Sequence, residues 1–482
     1  MEALAATVSW DACLIVLPLL GAIACFAWPN AAKKLALGTA LAVLVSIASL
    51  TIRVTAAGAF RHAVGAWGAP LGIELLVDGL SLVMLSATAI VGLAITIYSA
   101  GYFKADVSSR FWPLWLFLWA SLNALFLSSD IFNLYVALEL TGLAAVTLTA
   151  LAGSADALTA AARYLLVSLL GSLTYLLGVA LVYHGFGSVD MAVLAGRVES
   201  TPVFWAAFSL MFVGLALKTA LFPFHFWLPP AHASAPAPVS AALSGLVIKA
   251  SFYILMRLWF EIVPADYSTF TNFLGVLGAA AVVWGGLQAL RAKRLKLLIA
   301  YSTIMQVGYL FLAFPLAVAA AWRGALYLIL SHALAKSAMF LAAGNILYCA
   351  GHDRIESLDR IAQRLPMSLA AFAVAGVSIM GLPPSGGFIA KWLMVEAALK
   401  SGQWWWAVTL VLGSLFAAAY VFKVVGYAFT QAEAPHTSID VPAAMEWAAL
   451  ALAVAAVLMG LIAPWILASM EIGRAFPGAA IP

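Results

Sequence analysis

Charge is what this chain has least of. Asp, Glu, Lys and Arg together make up 9% of its 482 residues, while 65% are hydrophobic. Soluble domains carry about a quarter charged residues and are about half apolar, so the composition reads as a polytopic membrane protein in a lipid bilayer. Cysteine is scarce as well. Cys13, Cys25 and Cys349 form an odd set without a C-x-x-C pair, which argues against an iron–sulfur cluster, a zinc site or a disulfide framework. No dinucleotide fingerprint or P-loop occurs, because GLPPSGG at 381–387 is glycine-rich but lacks the Lys-Ser/Thr ending. No cofactor and no metal are expected, and any redox chemistry or ATP use belongs to a partner. With no basic tail or aromatic-plus-basic patch, nucleic acid is not an expected partner. No Lys or Arg precedes the first apolar run. That makes the N-terminus a poor signal peptide and residues 12–28 a retained span.

What the chain does have is apolar length. Stretches able to cross a bilayer fall near 12–28, 33–53, 76–99, 111–129, 131–152, 160–183, 203–221, 236–258, 268–289, 297–316, 320–348, 368–401, 404–430 and 443–468. The expected fold class is an all-α polytopic membrane protein of about 14 transmembrane helices. Lys and Arg gather at 33–34, 104–110, 163, 291–296 and 354–364, in loops on the side opposite the N-terminus. The positive-inside rule then puts the N-terminus outside a prokaryotic cytoplasmic (inner) membrane and, for an even number of spans, the C-terminus too. RAKRLK at 291–296 reads as a topology anchor.

An internal repeat is visible. RYLLVSLLG from Arg163 is similar to LYLILSHAL from Leu326, with tyrosines 163 residues apart; LALKTALFP around Lys218 pairs with GFIAKWLMV around Lys391, 173 residues apart. Two inverted five-helix repeats follow, with broken helices at the Pro-rich 222–240 and at 381–387, the layout of many secondary transporters. The expected division is 1–105 as an N-terminal three-helix segment, 106–260 and 261–432 as the repeats, and 433–482 as a C-terminal helix.

Five ionisable residues sit inside apolar spans: Glu139, Lys218, Lys249, Lys336 and Lys391. Each costs about 2.5–3.5 kcal/mol at a helix centre. Together that is ~12–18 kcal/mol, as much as the stability of an ordinary fold, so they must face one another, water or backbone carbonyls. For any one of them the alternative to a functional role is a helix-end side chain snorkelling to the interface or a structural hydrogen-bond partner. Lys249, halfway along its span, fits that least. His332 and Lys336 are four apart and share one helix face, the arrangement of a relay. His225 and His232 border the proline break, where structural and relay roles are balanced. Arg257 reads as a snorkelling anchor and Asp78 as the cap of the third span. Desolvation favours the neutral form of a lysine and a nearby carboxylate the charged form, so such groups can pass protons.

These residues carry a family resemblance. ALEL with Glu139, residues 215–257, SHALAKSAMFLAAG and GLPPSGGFIAKW resemble the antiporter-like membrane subunits of respiratory complex I, of Mrp-type cation/proton antiporters and of membrane-bound hydrogenases. The similarity runs from about Asp78 to Gly426. It implies fourteen helices with the seventh and twelfth broken, a fifth-helix Glu139 paired with the seventh-helix Lys218, and Lys249 as the eighth-helix connecting lysine. It also implies His332 and Lys336 at the central eleventh-helix positions and Lys391 as the twelfth-helix exit residue. Arg163 stands where members often carry lysine, and arginine keeps its proton. Lys391 replaces the glutamate of one complex I subunit type, and the long lateral helix of the largest type is missing. The resemblance implies a proton-translocating subunit working with other membrane subunits of one complex, with sodium or potassium passage left open. A member similar to the D-type subunit of Mrp antiporters is the first reading. The pumping arm of a redox complex is the alternative, and an inorganic-carbon uptake subunit a third.

Overall fold

The computed structural model describes residues 9–70, 72–264, 268–431, 439–473 and 476. In chain order the main helices are α1 (Trp10–Ala27), α2 (Ala32–Ala57), α3 (Gly79–Tyr102), α4 (Ala105–Leu127), α5 (Ile131–Ala150), α6 (Ala155–Phe186) and α7 (Pro202–Thr219). After a short helix at Leu228–Ser234 come α8 (Ala237–Glu261), α9 (Ser268–Arg291), α10 (Leu295–Phe311) and α11 (Ala319–Ala350). They are followed by α12 (Pro366–Met380), α13 (Gly386–Lys400), α14 (Trp404–Phe429), α15 (Ala443–Leu458) and α16 (Ala463–Met470). Polar residues set the starts: Asp78 forms a capping box with Ser81 before α3, and Asp130, Ser154, Thr201 and Ser385 cap α5, α6, α7 and α13. Each side-chain oxygen satisfies a backbone N–H that lipid could not.

Among the described residues, twelve helices are long and apolar enough to cross a membrane, or thirteen if the bent pair α15 and α16 counts as one span. The sequence reading of about 14 spans takes 368–401 as one span broken at 381–387, and the break is there. That stretch divides into α12 and α13, 15 residues each, and each alone is shorter than the ~20 residues a bilayer needs. The narrow link after α4 holds: α4 ends at Leu127 and α5 begins at Ile131. A small antiparallel hairpin, Phe60–Ala63 with Glu74–Val77, is the one sheet among the described residues.

The two breaks are built alike. After α7 the Ala220 N–H bonds Leu217 O and the Leu221 N–H bonds Ala216 O; after α12 Gly381 bonds Ser378 O and Leu382 bonds Val377 O. Both are Schellman ends around a left-handed residue, Ala220 at φ 57° and Gly381 at φ 80°. These equivalent residues are 161 apart, close to the tyrosine spacing. The 173-residue pairing of Lys218 with Lys391 is therefore corrected: Lys218 precedes the first break, whereas Lys391 follows the second.

Helices α8, α10 and α11 are buried along nearly all their length, whereas α1, α2 and α14 bury about a third of theirs. The helices that carry Lys249, Lys296, His332 and Lys336 thus lie at the centre. This is the order lipid demands, because a charge exposed to hydrocarbon costs far more than one facing protein.

Candidate functional site: a buried polar axis

Gly171 and Gly214 bring α6 and α7 into backbone contact. A Cβ on Gly214 would lie 2.3 Å from Gly171 O, and one on Gly171 would lie 2.9 Å from Gly214 O. Small residues at such crossings are how helices approach in lipid. Here the approach places Ser168 and Ser172 of α6 beside Lys218, in the last turn of α7. The Lys218 Nζ donates to Ser168 Oγ at 2.9 Å and to Leu138 O at 3.5 Å. Glu139 Oε2 lies 3.7 Å from that amine and accepts from the Ser172 hydroxyl. The lysine side chain is 6% exposed and the glutamate 19%, so this ion pair forms one end of the axis at the flank of the protein. Trp227, stacked on Tyr164 at 4.3 Å, donates to Leu217 O, adding a second donor to the carbonyl that the Ala220 N–H already meets at the end of α7.

The next charge is Lys249, in the middle of α8. Just before it, Leu243–Val247 widens into a π turn, a local form common at functional sites. The Lys249 amine donates to Ser244 O within this turn, and Ser244 Oγ lies 2.9 Å from Thr303 Oγ1 on α10. A cavity of about 20 Å³ runs from Lys218 to Val247 and Ser251 of α8, and Thr219 Oγ1 bonds Ser251 Oγ at 2.9 Å beside it. A second cavity, about 10 Å³, is lined by Lys249, Gln306 and His332. Both are close to the volume that one water molecule needs. His332 Nε2 has no hydrogen-bond partner among the described residues. One turn on, Lys336 donates to Ser302 Oγ and, at 3.3 Å, to Ile299 O. The shared face expected for His332 and Lys336 is therefore real, and it is turned toward α8 and α10.

Lys391 sits on α13, but its amine reaches back across the break. It donates to Ile379 O at 2.8 Å, to Met380 O at 3.2 Å and to Ser414 Oγ at 3.0 Å, and lies 4.9 Å from the centre of the Tyr309 ring. The last carbonyls of α12 carry the negative end of its dipole, which suits a cation. Gly381 makes room, since a Cβ there would meet Lys391 Cδ at 2.8 Å. Gln306 Nε2 donates to the same Ile379 O at 3.3 Å. One amide thus links the Lys249–His332 cavity to the Lys391 amine.

The remaining sequence candidates divide. His232 is fully buried, stacks on Phe340 at 4.8 Å and has neither ring nitrogen bonded among the described residues. His225 is half-buried, accepts from Trp284 Nε1 at 3.0 Å and belongs to the outer edge. Arg163 is exposed on α6, one residue from Tyr164, and does not join the axis. Two readings need correction. Arg257 is no snorkelling anchor: it is 0% exposed and bonds Asp78 with both NH groups at 2.5 Å, with Tyr253 OH at 2.9 Å. Lys296 is not part of a loop anchor, because it is 2% exposed in the first turn of α10 and donates to Ala235 O. Gln306 was missed because a search for ionisable residues passes over an amide, although a glutamine inside an apolar span costs burial too. Among the described residues no group of three or more His, Cys, Asp or Glu could hold a metal ion.

The chain matches two families. Residues 128–417 match the family described as NADH:quinone oxidoreductase/Mrp antiporter, and residues 67–112 match the complex I chain 5 N-terminus family. The N-type subunit of NADH-quinone oxidoreductase from Desulforudis audaxviator is 35% identical, the match covering 90% of this chain and 91% of that one. The D-type subunit of the Na(+)/H(+) antiporter from Alkalihalophilus pseudofirmus is 30% identical over 80% of this chain and 79% of that one. Among solved structures, a chain of the Mrp complex from Dietzia sp. superposes with a TM-score of 0.88 at 26% identity, covering 97% of both chains. A chain of an archaeal membrane-bound sulfane sulfur reductase gives 0.89 at 26% identity over 96% and 98%. Both solved chains come from complexes, the second described as an archaeal respiratory membrane complex. With more than half its length in one family and a buried axis of alternating amines and hydroxyls, this chain belongs to the NADH:quinone oxidoreductase/Mrp antiporter family of antiporter-like membrane subunits.

Proposed function

We propose that the chain moves protons along this axis, taken up near Lys218 and released near Lys391, as one subunit of a multi-subunit complex in a prokaryotic cytoplasmic membrane with both termini outside. The observation that carries the reading is continuity. From Lys249 through His332 and Gln306 to Lys391, each polar group reaches the next through a cavity close to one water in size or a shared carbonyl. On the other side the Glu139–Lys218 ion pair borders a cavity of similar size that reaches Val247 and Ser251, two residues before and two after Lys249 on α8. A lysine that can lose its proton and regain it, next to a water-sized gap, is the working part of a relay. Mrp-type exchange of a monovalent cation for protons is the reading we put first, with sodium or potassium crossing here or in a neighbouring subunit. The pumping arm of a redox complex is the second, favoured by the identity with the N-type oxidoreductase subunit over 90% of this chain.

The test is reconstitution of the chain with its co-purifying subunits in vesicles holding a pH dye. A sodium or potassium gradient drives proton movement under the first reading, and quinone or ferredoxin turnover drives it under the second. Lys249→Met, which keeps length and removes the amine, abolishes proton movement while the complex still assembles. Unchanged proton movement in that variant would remove the axis from the path.

A further inference from the structure

We propose that a cleft between α1, α4 and the start of α6 is a binding site for an anionic phospholipid, phosphatidylglycerol being the headgroup that its chemistry fits. The cleft holds about 680 Å³ and opens on the outer face of the protein. Its walls include Phe26, Leu114 and Leu158; Phe26 is 78% exposed and Leu158 53%. Apolar walls of this kind suit an acyl chain. One side chain breaks the pattern. Arg110, exposed on α4, lines the cleft, and no Asp or Glu among the described residues lines it. A guanidinium with five donors is matched to phosphate geometry.

A second polar group points to the headgroup. Pro113 lies inside α4 and lines the same cleft. Proline has no N–H, so the carbonyl of Ser109, four residues earlier and also in the lining, loses its usual helical donor. The site therefore offers a cation, unpaired among the described residues, beside a proline-interrupted turn, which suits the net negative charge of phosphatidylglycerol, whereas phosphatidylcholine balances its phosphate with its own ammonium. The surroundings agree with a membrane interface: Trp28 is 64% exposed, and Lys33 and Lys34 are exposed at the start of α2. Aromatic and basic residues of this kind gather at headgroup level and draw acidic lipid. The proposal rests on α4 spanning the bilayer and is independent of the transport reading.

The experiment is native mass spectrometry of the intact complex, exchanged into detergent with phosphatidylglycerol or phosphatidylcholine of identical acyl chains. Wild type retains phosphatidylglycerol in preference. Arg110→Gln weakens that retention about tenfold, the worth of one charge-assisted contact, and leaves phosphatidylcholine unaffected. Leu158→Trp, a change on an exposed side chain, fills the cleft and reduces both lipids. Equal retention of the two lipids by wild type would overturn the proposal, as would Arg110→Gln binding like wild type. A photo-crosslinker at position 114 yields lipid adducts; adducts to a neighbouring subunit instead would show that protein covers the cleft and would overturn it too.

Discussion

Gln306 and Lys391 donate to the same carbonyl, that of Ile379, from helices on opposite sides of the second break. Ile379 lies in the last turn of α12, where the carbonyl has no helical partner ahead of it. The break therefore supplies an acceptor at the point where the axis must pass from α10 to α13. Gln306→Leu keeps the volume and removes the amide. Proton movement falls about tenfold or more, as for other lost buried hydrogen bonds in a chain, while assembly is kept. Gln306→Ala leaves space for a water to bridge and retains part of the rate. Equal rates for Leu and wild type in the vesicle assay would show that the amide only packs.

The Glu139–Lys218 pair sets a pH signature. A carboxylate 3.7 Å from the amine favours its charged form. Glu139→Gln keeps the shape and removes the charge. A coupling of about 1.4 kcal/mol corresponds to a tenfold change, so transport at neutral pH drops by about that factor and residual activity moves toward acid. Glu139→Asp returns the charge one methylene further away and recovers part of the rate. A Gln variant with the wild-type rate and pH profile marks Glu139 as a structural acid.

Lys391 tests whether the far end must release a proton. Lys391→Ala abolishes transport with assembly intact. Lys391→Arg is nearly as damaging, because arginine stays charged. Normal transport by the Arg variant, measured at matched protein levels, takes Lys391 out of the path.

Arg257 and Asp78 tie α8 to the start of α3 through two 2.5 Å bonds in a fully buried setting. Arg257→Met strands a buried carboxylate and destabilises the protein by about 3–5 kcal/mol. The double change Asp78→Asn with Arg257→Met recovers much of that loss. Thermal melting in detergent reads both. A single variant as stable as wild type would show that the pair contributes nothing to the hold on α8.

Much of this protein was legible without coordinates. Composition alone required membrane spans, because 65% apolar residues with 9% charged ones cannot form a soluble surface. The cost of charge in lipid then singled out Glu139, Lys218, Lys249, Lys336 and Lys391 as groups that must meet inside, and the structure buries all four lysines and leaves the glutamate half-buried beside Lys218. The i, i+4 spacing placed His332 and Lys336 on one face. Clustered proline and glycine marked both breaks, where missing N–H groups and room for a left-handed turn end a helix.

What only the tertiary structure decided is which groups touch. Arg257 near a span end looks like a snorkelling residue until Asp78, 179 positions earlier, is found against it. Lys296 reads as one of several loop cations until the Ala235 carbonyl, 61 positions earlier, accepts from its amine. Gln306 carries no charge and so does not stand out among the ionisable residues, yet it closes the gap to Lys391. The repeat was visible in the tyrosines but misaligned in the lysines, because a long flexible side chain can deliver its amine across a break that its backbone has already passed. Periodicity and solvation act on the chain locally and can be read from it. Pairing between helices depends on crossings such as Gly171 on Gly214, where two residues far apart in sequence become neighbours only when the backbones meet.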